Sequence, residues 1–331
     1  MYMELRDYQR KALDELLESY HTYERPILLT ACVGAGKSII IAAFMQYLES
    51  QNKKALCLTM SSDLVKQNAQ AYNRFGGHCG IYCGSLSRKD QSQPVTFATP
   101  FSLINAIKRS STISSQDFDV IIVDEAHNIN WSNSETTYLR IFNHYSPVKI
   151  IGLTGTPYRG KHSIEHEKGF SESIGNITIE YLVERGFLAP PTYGTSFDKS
   201  IDFSKLKLKA GKFVAKDLAD VVEGNHSKTE QILNSLQTTM QKRNGAFIYA
   251  TNIKHAKECM EHLPDDVSFL VTGNTEQKHR SEALEKAKRG ELKYLVNVGC
   301  LTTGVDVPFF DTVVFLRPTE SLTLLMQRIG S

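Results

Sequence analysis

The chain of 331 residues carries 38 Lys and Arg against 36 Asp and Glu, a net charge of +2, and is 41% hydrophobic. That length predicts two domains of roughly 100–200 residues each, and the apolar fraction excludes a wholly disordered chain. The near-neutral balance excludes a polycation that binds nucleic acid by bulk charge, so any such binding must use a local basic surface.

Six cysteines, at 32, 57, 79, 83, 259 and 300, are too scattered for a disulfide framework and predict free thiols in a reducing compartment. The N-terminus, MYMELRDYQRK, is charged from its fourth residue and lacks the apolar region of a secretory signal. The longest apolar runs, such as Ile39 to Met45, fall short of the roughly 20 residues needed to span a bilayer. The expectation is a soluble, cytoplasmic protein without a membrane partner.

In chain order, short β-branched runs alternate with helical patterns. The spacing predicts strands at Ile27–Ala31, Ala55–Met60, Val95–Ala98, Val120–Val123 and Lys149–Leu153, with helices over Ser38–Leu48, Asp63–Phe75 and Ser102–Lys108. A helix over Thr178–Glu184 stops at Gly186, and Pro190-Pro191 interrupt the alternation. It resumes with strands Phe247–Ala250, Val267–Val271, Tyr294–Val298 and Thr312–Leu316, and helices Lys254–His262 and Glu276–Arg289. Such alternation predicts the α/β class, with doubly wound parallel sheets covered by helices on both faces. The boundary is expected near residue 190, giving domains 1–189 and 190–331. They carry 19 basic and 19 acidic residues, and 19 and 17, respectively. Between Lys199 and Lys216, six lysines (199, 205, 207, 209, 212, 216) accompany the single acid Asp202, reading either as a solvated face or as a phosphate-contacting loop.

The first strand runs into ACVGAGKS, residues 31–38, and then into an apolar helix. This follows the phosphate-loop pattern G-x-x-x-x-G-K-[ST] with Ala31 in place of the first glycine. Gly34 and Gly36, flanking Ala35, let the backbone wrap a phosphate without Cβ clashes, and the helix beginning at Lys37 offers its positive dipole end. Lys37 suits the β/γ-phosphates of ATP, and the Ser38 hydroxyl suits Mg²⁺. Cys32, inside the loop, either fills space or offers a redox handle. The apolar strand Val120–Val123 ends in Asp124-Glu125-Ala126-His127, 87 residues beyond Lys37. The C-terminal end of a buried parallel strand faces the crevice where ligands bind. Asp124 is therefore expected to hold Mg²⁺, and Glu125 to take a proton from the water attacking the γ-phosphate.

ACVGAGKS paired with DEAH resembles the superfamily 2 helicases and translocases, and further segments carry the same resemblance. Leu5-Arg6-Asp7-Tyr8-Gln9 is similar to the adenine-recognising element, which implies that Gln9 pairs with the adenine edge and Arg6 packs on or beside the ring. Leu58 to Ser62 with Leu64 to Gln67, and Phe97 to Leu103, resemble two strand-contacting motifs, implying nucleic-acid contacts by Ser61, Thr99 and Ser102. Leu153-Thr154-Gly155-Thr156-Pro157 resembles a coupling motif usually written Thr-Ala-Thr, with Gly155 as the departure, and implies that His127, Thr154 and Thr156 couple the sites. Phe247 to Ala250 and the segment NVGCLTTGVDVP, residues 297–308, match later motifs. There Thr302 and Thr303 would face nucleic acid, and Gly304 and Asp306 the nucleotide. Tyr181 to Pro191, Lys293 to Val298 and Leu316 to Ser321 resemble the RadD-like DNA-repair ATPases. The resemblance implies two RecA-like domains, ATP and Mg²⁺ in the cleft between them, and DNA across both.

The sixth motif, normally Q-x-x-G-R-x-x-R, begins at Gln327-Arg328-Ile329-Gly330 and meets Ser331 at the chain's end. Arg328 lies between the matching Gln and Gly and is not the missing arginine finger. A finger contributes about 10³–10⁵ in rate, so the expectation is ATP binding with poor hydrolysis, in a chain either truncated from a longer protein, the favoured reading, or naturally shortened as a regulatory form. The leading reading is a DNA-dependent ATPase, a helicase or translocase of DNA repair or recombination. The alternative is a nucleotide-gated nucleic-acid clamp with little hydrolysis, and the motor of a restriction-type complex ranks third. DNA, single-stranded or branched, is the expected partner of a monomer, with RNA left open and repair proteins as further partners. Among weaker signals, Cys79, Ile81 and Cys83 alternate as a strand face rather than completing a metal site with His78. His162, Glu165, His166 and Glu167 read as a surface loop, and Trp131 either packs behind the DEAH segment or stacks on a base.

Overall fold

The computed structural model describes residues 4–109, 117–146, 148–159, 162–164, 169–170, 172–192, 206, 208–209, 212–223, 225–301 and 307–318. The chain divides into two units, one ending at Pro190 and the other beginning at Pro191.

The first unit runs α1 (Asp7–Thr22), β1 (Ile27–Ala31), α2 (Lys37–Ser50), β2 (Ala55–Leu58), α3 (Ser62–Arg74), β3 (Cys79–Cys83), β4 (Arg88–Lys89), β5 (Val95–Ala98) and α4 (Pro100–Arg109). It continues with β6 (Val120–Asp124), α5 (Thr137–His144), β7 (Lys149–Thr154), the short pair β8 (Tyr158–Arg159) and β9 (His162–Ser163), β10 (Glu172–Ile177) and α6 (Ile179–Glu184). Eight strands form one sheet in the order β10-β1-β7-β6-β2-β5-β3-β4, parallel except where β4 turns back on β3.

The central strands are apolar on both faces because both faces are covered. The pleat sorts their residues by period two. Ile27, Leu29, Cys57, Ile122 and Leu153 join a core with Leu16, Phe44 and Val65 of α1, α2 and α3. Leu28, Leu58, Ile121 and Val123 join another with Leu103 of α4 and Ile141 and Phe142 of α5. Trp131 belongs to this second core, edge-on to Phe170 at 5.2 Å and tilted against Phe142 at 5.7 Å, so its role in the fold is packing.

Helices α1 and α5 and those at Ala215–Glu223 and His226–Thr239, strand β10, and the two-residue strands β4, β8, β9, Leu208–Lys209 and Lys212–Phe213 are not among the predicted elements, and β10 and α5 show why. In β10, Gly175 and Asn176 have φ of 87° and 36°, and the pairing with β1 shifts register between Leu29 and Ala31. The alternation is broken where those two residues turn, and the strand is held instead by Asn176 N–H donating to Thr30 Oγ1 at 3.1 Å. Helix α5 has only eight residues and buries just Tyr138, Ile141 and Phe142, too short a stripe to stand out as periodic.

The strand order places β7 between β1 and β6, with Thr30 opposite Thr154 and Leu153 opposite Asp124. At about 4.8 Å between neighbouring strands, the loops after β1, β7 and β6 leave the sheet side by side.

The second unit contains β11 (Leu208–Lys209), β12 (Lys212–Phe213), α7 (Ala215–Glu223), α8 (His226–Thr239), β13 (Ala246–Tyr249), α9 (Ile253–Glu261), β14 (Ser268–Val271), α10 (Gln277–Lys288), β15 (Tyr294–Asn297) and β16 (Thr312–Phe315). Its parallel sheet has the order β14-β15-β13-β16. Ala246 and Ile248 pack with Leu233 and Cys259 on one face, and Phe247 and Tyr249 with Ala283 and Leu295 on the other. Thr302, Thr303, Gly304 and Asp306, the sixth-motif segment, Glu165 to Glu167 and most of the lysine-rich stretch lie outside the described residues. Among the described residues no helix is long and apolar enough to cross a membrane, and the six cysteines are free thiols.

Candidate active site

The loop after β1 owes its shape to two glycines. Gly34 and Gly36 have φ of 84° and 78°, and a Cβ on Gly36 would stand 2.5 Å from Gln9 Nε2. Gly36 is also the N-cap of α2 and supplies no side chain to its first turn. Backbone amides at such a terminus are a ready anion site. Gln9 is buried and braces the loop: its Nε2 donates to the Ala35 carbonyl at 3.0 Å, and its Oε1 accepts the Arg6 N–H at 3.0 Å. The Arg6 guanidinium lies over the Phe187 ring at 4.8 Å and donates to the Tyr8 hydroxyl at 3.2 Å. Leu188 covers Gly34, its Cδ2 lying 2.8 Å from where a Cβ would be. Phe187 and Leu188 thus shape this corner, yet nothing local to them in sequence says so.

Lys37, at the start of α2, points back across the loop. Its Nζ donates to the Ala31 carbonyl at 3.5 Å and lies 3.7 Å from Glu125 Oε1. Glu125 occupies the left-handed region, with φ 55°, immediately after β6. A non-glycine residue rarely holds that conformation, and such strain gathers at functional sites. Glu125 Oε2 is buried, 3.3 Å from His127 Nδ1, and makes no hydrogen bond among the described residues.

Asp124 is buried at the end of β6. Its Oδ1 accepts the Glu125 N–H at 3.0 Å and its Oδ2 accepts Asn68 Nδ2 at 3.1 Å. Burial and the neighbouring Glu125 charge push its carboxyl up to about 6, against the opposing pull of Lys37 and these hydrogen bonds. Asn68 was not foreseen. The signal was present, because α3 buries Leu64, Val65, Asn68, Ala69 and Tyr72 on one face, and a lone asparagine in an apolar stripe needs a partner.

His127 links this cluster to the loop after β7. Its Nδ1 lies 3.0 Å from the Thr154 hydroxyl and 3.2 Å from that of Thr156. Burial and the Lys37 charge lower its pKa to about 4, so the ring is neutral at pH 7. Gly155, between the two threonines, presses against the phosphate-type loop: a Cβ there would sit 3.0 Å from Val33 N and 3.1 Å from both the Ala31 carbonyl and Lys37 Nζ. The departure from alanine at this position therefore has a steric reason. Cys32 is buried and its thiol is pushed up to about 11, which suits the space-filling reading.

The arrangement fits a magnesium–nucleotide. Oxygen donors from Ser38 and Asp124 suit a hard cation, the uncapped α2 terminus suits phosphate, and the orphaned Glu125 Oε2 suits a water molecule.

The hydroxyls expected to touch nucleic acid carry structural bonds. Ser61 caps α3 by accepting the Leu64 N–H at 3.2 Å. Thr99 Oγ1 donates to Ser102 Oγ at 2.8 Å, and Ser102 Oγ accepts the Gly84 N–H at 2.9 Å, tying α4 to the turn after β3. Ser61→Ala should therefore destabilise the first unit by about 1 kcal/mol, read as an earlier urea midpoint. An unchanged midpoint would contradict the capping role.

Residues 2–159 match the family described as "Type III restriction enzyme, res subunit", and residues 227–330 match "Helicase conserved C-terminal domain". The chain is 24% identical to the putative ATP-dependent helicase IRC3 of Saccharomyces cerevisiae, over 98% of this chain and 49% of that protein. It is 24% identical to the DNA 3'-5' translocase XPB2 of Sulfurisphaera tokodaii, over 99% of this chain and 78% of that one. The solved structure of S. cerevisiae Dbp5 bound to RNA and ADP BeF3 superposes with a TM-score of 0.62 at 14% identity, covering 98% of this chain and 84% of that one. The chain thus spans about half of IRC3's length.

Proposed function

Since this chain carries the core of the superfamily 2 helicases, we propose that it is an ATP- and Mg²⁺-dependent DNA translocase or helicase of DNA repair or recombination, of the RadD-like kind. The observation that carries the reading is the cluster built by the order β1-β7-β6, in which Lys37, Glu125, His127 and Thr154 meet within hydrogen-bonding or ion-pairing distance. The relative XPB2, described as a DNA translocase, and the restriction-enzyme family favour DNA over RNA.

In this reading Lys37 exchanges Glu125 for the β/γ-phosphates, and the amides of the loop and of α2 receive the phosphate oxygens. Mg²⁺ held by Ser38 and Asp124 would neutralise charge on those oxygens. Asn68 and the Glu125 N–H fix the Asp124 carboxylate. Glu125, released from Lys37, takes the proton of the attacking water at Oε2. Neutral His127, held against Thr154 and Thr156, reports the state of Glu125 to the loop after β7. Gln9 and Arg6 receive the adenine, and Ser61, Thr99 and Ser102 the strand.

Steady-state ATP hydrolysis with and without single-stranded DNA tests the proposal. Turnover that rises on DNA supports it, and nucleotide-dependent DNA binding without turnover would favour the clamp instead. Gly155→Ala should cost about tenfold in kcat/KM for ATP, because overpacking of about 1–3 kcal/mol would displace Lys37 or the loop. Unchanged kinetic constants would contradict that close approach.

A further inference from the structure

The face of the first unit that carries the strand-contacting motifs also exposes two large apolar side chains. Phe101, in the first turn of α4, is 74% exposed, and Met60, just past β2, is 50% exposed. Strands β2 and β5 are parallel neighbours, with Leu58 opposite Ala98, so both residues follow the C-terminal ends of adjacent strands. They line one cavity of about 830 Å³, together with Lys89, Arg109, Ser62 and Asn105. No carboxylate lines it among the described residues.

We propose that Phe101, flanked by Met60, is a stacking platform for an unpaired nucleobase of a DNA single strand whose phosphates run along Lys89 and Arg109. The inference rests on the reading of the chain as a DNA-acting ATPase and adds base stacking to its phosphate contacts. A flat apolar surface beside two cations, with no acid, matches a ligand that is both aromatic and anionic. Hydrogen bonds hold the surroundings of the platform: Tyr138 Oη donates to Met60 Sδ at 3.1 Å, and the Thr99–Ser102–Gly84 bonds anchor the first turn of α4. Stacking recognises the face common to every base, so the site holds a strand without reading its sequence.

The test is fluorescence anisotropy of the full chain with a labelled poly-thymidine strand and with an abasic strand of equal length. Phe101→Ala should weaken binding of the base-bearing strand by about 5- to 100-fold and leave the abasic strand little changed. Phe101→Trp should retain the preference. Phe101 is mostly exposed, so its truncation leaves the core intact. An equal loss on both strands, or no loss on either, would overturn the stacking platform while leaving the DNA reading in place. If the unaltered chain binds neither strand, the DNA reading itself fails, and the platform with it.

Discussion

Glu125→Gln should lower kcat for ATP by about 10²–10⁴-fold, the range for losing a positioned general base, while KM stays level or falls. The amide is nearly isosteric with the carboxylate and can still accept from Lys37, so the cluster at 3.7 Å keeps its shape. What it loses is basicity at Oε2, the buried atom that makes no hydrogen bond among the described residues. It also removes a negative charge beside the expected γ-phosphate, which is why nucleotide affinity should not drop. The neighbouring acid cannot substitute. Asp124 is buried, held by Asn68 and the Glu125 N–H, and bonded through both oxygens. Single-turnover hydrolysis alongside equilibrium ATP binding separates the two constants. A kcat within a few-fold of the unaltered chain would assign the base elsewhere.

The parts of the candidate site that share a short stretch of sequence can be proposed from it, and the parts that meet only through the fold cannot. ACVGAGKS points to its candidate chemistry, phosphate binding, because two glycines, a lysine and a serine fall within one strand-to-helix turn. DEAH does so because its carboxylates follow an apolar strand. The strands β1, β5 and β6 were placed to within a residue, since buried parallel strands are continuous apolar runs. Strand β10 was invisible because Gly175 and Asn176 break its alternation. The left-handed conformation of Glu125 has no compositional signature, as it is imposed on a non-glycine residue by the turn out of β6. Phe187 and Leu188 lie about 150 residues from the loop they cover, so only packing joins them to Arg6 and Gly34. Ser61 and Thr99 illustrate a different limit. A hydroxyl ahead of a helix suits both a cap and a phosphate contact, and sequence pattern does not separate these roles.

Lys37→Ala should abolish nucleotide binding at micromolar concentrations. The ammonium stands between the loop and two carboxylates, Glu125 and the buried Asp124, and its removal leaves that acidic pair facing incoming phosphates. At about 4 Å and an effective dielectric of about 20, one unit-charge pair is worth about 4 kcal/mol, so a loss of at least about 100-fold in affinity remains after generous screening. The change should leave the fold standing, because α2 is anchored in the core by Ile40, Ile41 and Phe44. The measurement is a titration of Mg²⁺–ATP into the full chain and into Lys37→Ala, followed by fluorescence of a labelled nucleotide. Saturable binding by the unaltered chain, lost in the variant, is the predicted result; micromolar affinity in both would contradict the assignment of the site.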